Sequence, residues 1–149
     1  MTQYRQPRQA YPPRGERDQP ALPAGYLRNG YFDTSNNTLP EVIVDWPKNI
    51  AGNLYASRQM KTAQLRRFFN EARRIEGKLD AGASFPSLKP EILKFDNYAA
   101  DAVKKKKAPP LFKEFIEQNL KWATKEEKAF RRGFIPHFEA VVAYFPEAK

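Results

Sequence analysis

The stretch KTAQLRRFFNEARRIEGKL, Lys61 to Leu79, constrains this chain more than any other. Wound as a helix, it sets Leu65, Phe68, Phe69, Ala72, Ile75 and Leu79 on one stripe at three- and four-residue spacing. Basic residues border that stripe on both sides: Arg66 and Arg73 on one, Arg67, Arg74 and Lys78 on the other. One helix therefore both builds a core and displays an arginine-rich surface. That combination predicts a small helical protein that holds a polyanion, RNA foremost.

The remaining sequence agrees with that reading. A chain of 149 residues is long enough for one domain with its own core, and 41% hydrophobic with 13% aromatic content is globular. A formal net charge of +9 favours a polyanionic partner. Without cysteine there is neither a disulfide framework nor a thiolate metal site, which points to a reducing compartment. No run of 18 apolar residues occurs and the N-terminus has no apolar signal segment, so neither a membrane span nor secretion is expected.

Residues 1–40 carry six of the thirteen prolines, three of the seven glycines and few aliphatic side chains. Such a segment cannot bury enough apolar area to offset its ordering entropy, and it reads as a disordered, Pro-rich arm. In it Arg5, Arg8, Arg14 and Arg17 alternate with Tyr4, Tyr11 and Tyr26, a pattern that can stack on unpaired bases but that also suits a solvated tail.

Residues 41–149 predict an all-α, compact bundle of about five helices. Glu41 to Val44 is a short β-branched run broken at Trp46-Pro47, and a first helix follows from about Pro47 to Ser57. The second is the basic helix, with Thr62 as its expected N-cap. A third spans about Lys89 to Lys106, with Ile92, Leu93, Phe95, Tyr98, Ala99, Ala102 and Val103 inward. A fourth runs from about Pro110 to Ala123 with Phe112, Phe115, Ile116 and Leu120 inward. Thr124 and Glu127 have capping-box spacing and should open a fifth, facing Phe130, Phe134, Phe138, Val141, Val142 and Phe145 to the core. Pro136 falls inside that helix and predicts a kink, eased by Gly133. No alternating strand pattern of useful length appears.

Catalytic chemistry is not legible. His137, the single histidine, lies beside Phe138 with no second histidine or carboxylate cluster nearby in sequence, and reads as a packed or partner-facing residue. There is no nucleophile elbow, Walker loop or dinucleotide fingerprint. The expectation is a protein without enzymatic activity, cofactor or metal.

The basic surface is the better lead. Arg58 to Lys78 holds seven basic residues against two acidic ones in 21 positions. Arginine forks match phosphate oxygens and stack on bases. Asn70, between Arg66 and Arg73 on one helix edge, could bond a base or ribose. Lys104 to Lys107 is a second basic patch that suits a solvated helix end somewhat better than a binding role, and Arg131-Arg132 is a third. No helix-turn-helix pair, RNP motif or zinc finger is present, so contacts should go to the nucleic-acid backbone without sequence readout.

Three blocks carry a family resemblance: KTAQLRRFFNEARRIE (Lys61 to Glu76), LKPEILKFDNYAADAVKK (Leu88 to Lys105) and FRRGFIPHFEAVVAYF (Phe130 to Phe145). Together they resemble the small helical subunit of type III-A CRISPR effector complexes, the Csm small subunit. The resemblance covers about Asn49 to Phe145 and leaves the arm unmatched. It implies a five-helix bundle stacked in several copies beside a filament of backbone subunits, lining the channel where guide and target RNA pair. It also implies a prokaryotic, cytoplasmic ribonucleoprotein in which the backbone and large subunits, not this one, do the chemistry. Its basic positions match Lys61, Arg66 and Arg67, then Arg73, Arg74 and Lys78, with Arg131 and Arg132 opening the last helix. Two other readings compete: a free-standing nucleic-acid-binding helical domain, and a protein-binding adaptor.

Overall fold

A computed structural model describes residues 21–147. Arg5, Arg8, Arg14, Arg17, Tyr4 and Tyr11 lie outside the described residues, and with them the first half of the expected arm. Five helices form the bundle: α1 (Asp45–Ala56), α2 (Thr62–Asp80), α3 (Phe85–Lys104), α4 (Pro110–Ala123) and α5 (Ile135–Tyr144). A one-turn helix (Pro40–Ile43) precedes α1, and a π-helical turn (Ala129–Phe134) leads into α5. The described residues hold no strand, only an isolated bridge between Phe32 and Thr38.

α5 is the central element. It packs against α1 on one side and α2 on the other, while the π turn joins it to α4; α3 closes the bundle on α4 and α2. Phe130, Phe134, Phe138, Val141, Val142 and Phe145 are all buried, as their spacing predicts. Phe130, Phe134 and Phe138 form a ladder with centroids 5.9 and 5.6 Å apart. The ladder branches to Phe95, 6.1 Å from Phe134, and to Phe115 and Phe69, each 5.5 Å from Phe138. Each fully buried phenylalanine stabilises the fold by about 1.5–3 kcal/mol before ordering costs. α4 has the bounds the sequence predicts, with Phe112, Phe115, Ile116 and Leu120 buried.

Several local expectations are overturned. The β-branched run before Trp46 holds a helical turn, and α1 begins at Asp45 and not at Pro47, which falls in its first turn, where a missing N–H costs nothing. α2 starts one residue earlier than expected: Lys61 is the N-cap, and the Thr62 hydroxyl turns to the Pro146 carbonyl at 3.4 Å. α3 begins at Phe85, capped by Ser84, whose hydroxyl accepts from the Ser87 N–H at 3.3 Å. Pro90 sits inside it, but near enough to the start that the ladder loses only the bond to the Pro86 carbonyl. Leu93 and Tyr98 are 51% and 44% exposed, because the dry stripe runs through Leu88, Ile92, Phe95, Ala99 and Ala102 instead.

The Thr124–Glu127 capping box does not form. The Thr124 hydroxyl donates back to the Leu120 carbonyl at 2.7 Å and so belongs to the end of α4, and Glu127 pairs one turn on with Arg131. The strain of Pro136 is met by the π turn upstream. A proline ring meets the carbonyl four residues back, here Arg132, and the wider i→i+5 turn, closed by the Ile135 N–H on the Phe130 carbonyl, moves that carbonyl aside.

The largest departure concerns residues 21–39, expected in the disordered arm. They pack on the bundle: Leu27 and Tyr31 are buried, and Leu39 N–H donates to the Tyr31 carbonyl at 2.9 Å. Gly133 makes room for this, since a Cβ there would stand 2.3 Å from the Tyr31 ring.

Candidate nucleic-acid interface

The stripe of α2 lands as its periodicity requires. Leu65, Phe68, Ala72, Ile75 and Leu79 are buried and Phe69 is half-buried against the core. Everything else on the helix is thereby turned outward, and its two basic edges acquire different neighbours.

The edge of Arg66, Asn70 and Arg73 is exposed along its length. Arg66 reaches Glu147 at 3.3 Å, an open ion pair near the end of the described chain. Arg73 pairs with Glu76 at 3.2 Å and lies 5.9 Å from the centre of the Phe69 ring. Asn70 between them is exposed, as is Lys61 at the head of the helix. Pairs this exposed contribute little to stability and exchange readily for phosphate.

The other edge faces α3. Arg74 binds Glu71 on its own helix and Glu91 across the gap at 3.2 Å, and Lys78 binds the same Glu91 at 3.1 Å. These bonds hold the Glu91 carboxyl below its usual range, Lys78 first and Arg74 second, and raise the Arg74 guanidinium, chiefly through Glu71. Arg67, one turn before Glu71, makes no ion pair among the described residues and opens onto a groove.

Arg131 and Arg132 separate. Arg131 is tied to Asp80 at the end of α2 and to Glu127 at 3.2 Å, and its side chain is 29% exposed; Arg132 is exposed. The structure thus brings Lys61, Arg66, Arg67, Asn70 and Arg73 onto the open surface of α2, ties Arg74 and Lys78 to Glu71 and Glu91, and sets Arg131 at the far end of that helix.

Sequence reasoning set Lys105 and Lys107 aside as a solvated helix end and missed that they join Arg67 and Tyr98 in the lining of that groove. The signal was present: Tyr98 falls off the stripe of Ile92, Phe95, Ala99 and Ala102, a stripe that needs no further member.

His137 is wholly buried. Its Nδ1 lies 2.6 Å from the Val42 carbonyl and its Nε2 2.6 Å from the Tyr26 hydroxyl. Burial pushes its pKa down to about 4, with the Val42 bond opposing, so the ring is neutral at physiological pH. Among the described residues no group of three or more His, Asp or Glu side chains could hold a metal, and no helix is long and apolar enough to cross a membrane.

The family described as Csm2 Type III-A matches residues 38–148, which takes in the whole bundle and both basic edges of α2. No curated protein and no solved structure matches the chain.

Proposed function

This chain belongs to the Csm2 family, and so to the subunits of type III-A CRISPR effectors, and on that premise we propose that it is a non-catalytic scaffold whose α2 surface holds RNA by its backbone. The observation that carries the reading is the division of labour on α2: its apolar stripe is spent on the core, while Arg66, Arg67, Asn70 and Arg73 stand in solvent. Arginines held on a rigid helix are pre-organised for phosphate oxygens, and contacts of that kind carry no base preference. Lys61 extends the same surface at the N-terminal end of the helix, where its positive dipole end also favours anions. Guide and target RNA are the natural occupants, with the backbone subunits, the large subunit and further copies of this chain as neighbours. The sole histidine supports a scaffold, since it is buried, neutral and fully engaged.

The test is recovery of the tagged chain from its native cells, with the bound RNA sequenced and the co-purifying chains identified, for the parent protein and for Arg66→Glu/Arg67→Glu. The parent should bring down short RNAs of uniform 5′ end together with other effector subunits. The double variant should keep its helix content, because both side chains point outward, and lose RNA. RNA retained in full by a folded double variant refutes the assignment of that surface. Recovery of DNA, mixed cellular RNA or no nucleic acid moves the reading to a free-standing binder or a protein adaptor.

A further inference from the structure

A groove of about 380 Å³ lies between α2 and the end of α3, the size of a small ligand cleft. Arg67 lines it from α2, Tyr98 from α3, and Lys105 and Lys107 from the chain that ends α3. Tyr98 is 44% exposed. The buried Phe95 ring meets it edge-on, with centroids 6.4 Å apart and planes at 82°, which steadies the tyrosine without covering it.

The two lysines are placed there by the way α3 ends. Lys107 N–H donates to the Ala102 carbonyl at 2.8 Å and Lys106 N–H to the Val103 carbonyl at 3.0 Å, a Schellman cap that folds the chain back over the last turn. Such caps favour glycine at the left-handed position, and the cap ending α2 has Gly82 there, at φ +103°. In α3 that position is Lys106, at φ +59°. A backbone conformation unfavourable to a side chain thus turns Lys107 toward the groove rather than away along the helix axis. The acidic residues of the lining are already engaged, Glu71 with Arg74 and Asp101 with Lys105 at 3.0 Å. Arg67 and Lys107 make no ion pair among the described residues.

An exposed aromatic ring beside free cations calls for a ligand with a flat face and a nearby negative charge. An acidic peptide supplies the charge without the face, and duplex RNA keeps its bases stacked within the helix. An unpaired nucleotide supplies both. We propose that this groove seats one unpaired nucleotide of single-stranded RNA, its base against Tyr98 and its phosphates toward Arg67 and Lys107. The proposal rests on the reading of this chain as an RNA-holding subunit and adds to it a specific seat away from the Arg66–Arg73 edge.

The test uses the intact effector complex purified with this chain, loaded with RNA carrying 4-thiouridine and irradiated in the near ultraviolet, with adducts mapped by mass spectrometry. An adduct is expected on Tyr98 or its immediate neighbours. Tyr98→Leu should lower its yield about tenfold, and Tyr98→Phe, which keeps the ring, should hold it within about twofold. Adducts confined to the Arg66–Arg73 edge and indifferent to Tyr98→Leu overturn the nucleotide seat and leave the RNA role standing. An intact complex whose RNA forms no adduct anywhere on this chain overturns both. A protein chain of the complex found crosslinked into the groove, with no RNA adduct at Tyr98, overturns the seat alone.

Discussion

Tyr26 donates its hydroxyl proton to Nε2 of His137 across 2.6 Å and 111 residues of chain. The direction of the bond follows from the ring's other nitrogen, which faces the Val42 carbonyl and must carry its proton. The Tyr26 oxygen in turn accepts from Asn119 Nδ2 at 2.8 Å, and Asn119 Oδ1 accepts from the Tyr31 hydroxyl at 2.7 Å. The second Asn119 Nδ2 proton goes to the Phe115 carbonyl at 2.8 Å, so every polar group of this buried cluster is satisfied. Residues 21–39 are fastened to α4 and α5 by this network.

Removing the Tyr26 hydroxyl should therefore cost more than one hydrogen bond. Tyr26→Phe leaves His137 Nε2 and one Asn119 proton unpaired in a dry site, a loss of about 1–3 kcal/mol by urea or guanidinium unfolding. A change below about 0.5 kcal/mol would show that the segment contributes little to the fold.

Acid should weaken the protein through His137. Its pKa in the folded chain is pushed down to about 4 by burial, against an ordinary 6.5. Above pH 6.5 both folded and unfolded forms are neutral there, and the contribution is fully present. Between pH 6.5 and 4 the unfolded chain takes up a proton that the folded chain refuses, so stability falls by up to about 1.4 kcal/mol per pH unit. His137→Gln should flatten that part of the curve. Unfolding free energies equal at pH 7 and pH 5 in the parent would contradict a buried neutral ring.

Gly133 and Tyr31 should be coupled. A methyl group at Gly133 would stand 2.3 Å from the Tyr31 ring, inside the buried π turn. Gly133→Ala should destabilise by about 1–3 kcal/mol, as overpacking does. Truncating the ring first, in Tyr31→Ala, removes the two nearest contacts and leaves only the Tyr31 Cβ at 2.9 Å, so the two substitutions together should cost less than the sum of each alone. Strict additivity would place the strain elsewhere than at the ring.

Glu91 should act as a brake on the basic surface. It engages both Arg74 and Lys78 from α3. The site is exposed, so Glu91→Gln should leave thermal stability almost unchanged. Freed of the Glu91 carboxylate, Lys78 becomes available to phosphate, while Arg74 stays bound to Glu71. Under the RNA-scaffold reading, the plot of log affinity for single-stranded RNA against log salt should steepen by about 0.7, the increment of one contact. An unaltered slope would mean that Lys78 does not come within reach of RNA.

What could be read directly from the amino-acid order is whatever is set by local periodicity. The α2 stripe, the bounds of α4 and the inward phenylalanines at 130, 134 and 138 all follow from three- and four-residue spacing, because one helix decides which of its faces is apolar. The basic composition of α2 was equally legible, and so was the family, through its Lys61–Glu76 block. Contacts between distant parts of the chain were not. Whether Arg74 is free or tied depends on Glu91, which lies on another helix and is aligned with it only by the crossing of α2 and α3. Leu93 and Tyr98 look apolar in sequence yet stand in solvent, since periodicity names a face but not the neighbour that covers it. The Thr124 capping box lost its hydroxyl to a carbonyl of the preceding helix. Residues 21–39 are too poor in aliphatic side chains to order themselves; they order because Gly133, more than a hundred residues away, leaves a slot for one tyrosine ring and Asn119 waits at its end. Only the tertiary structure could supply that, because the stabilising partners exist nowhere in the segment itself.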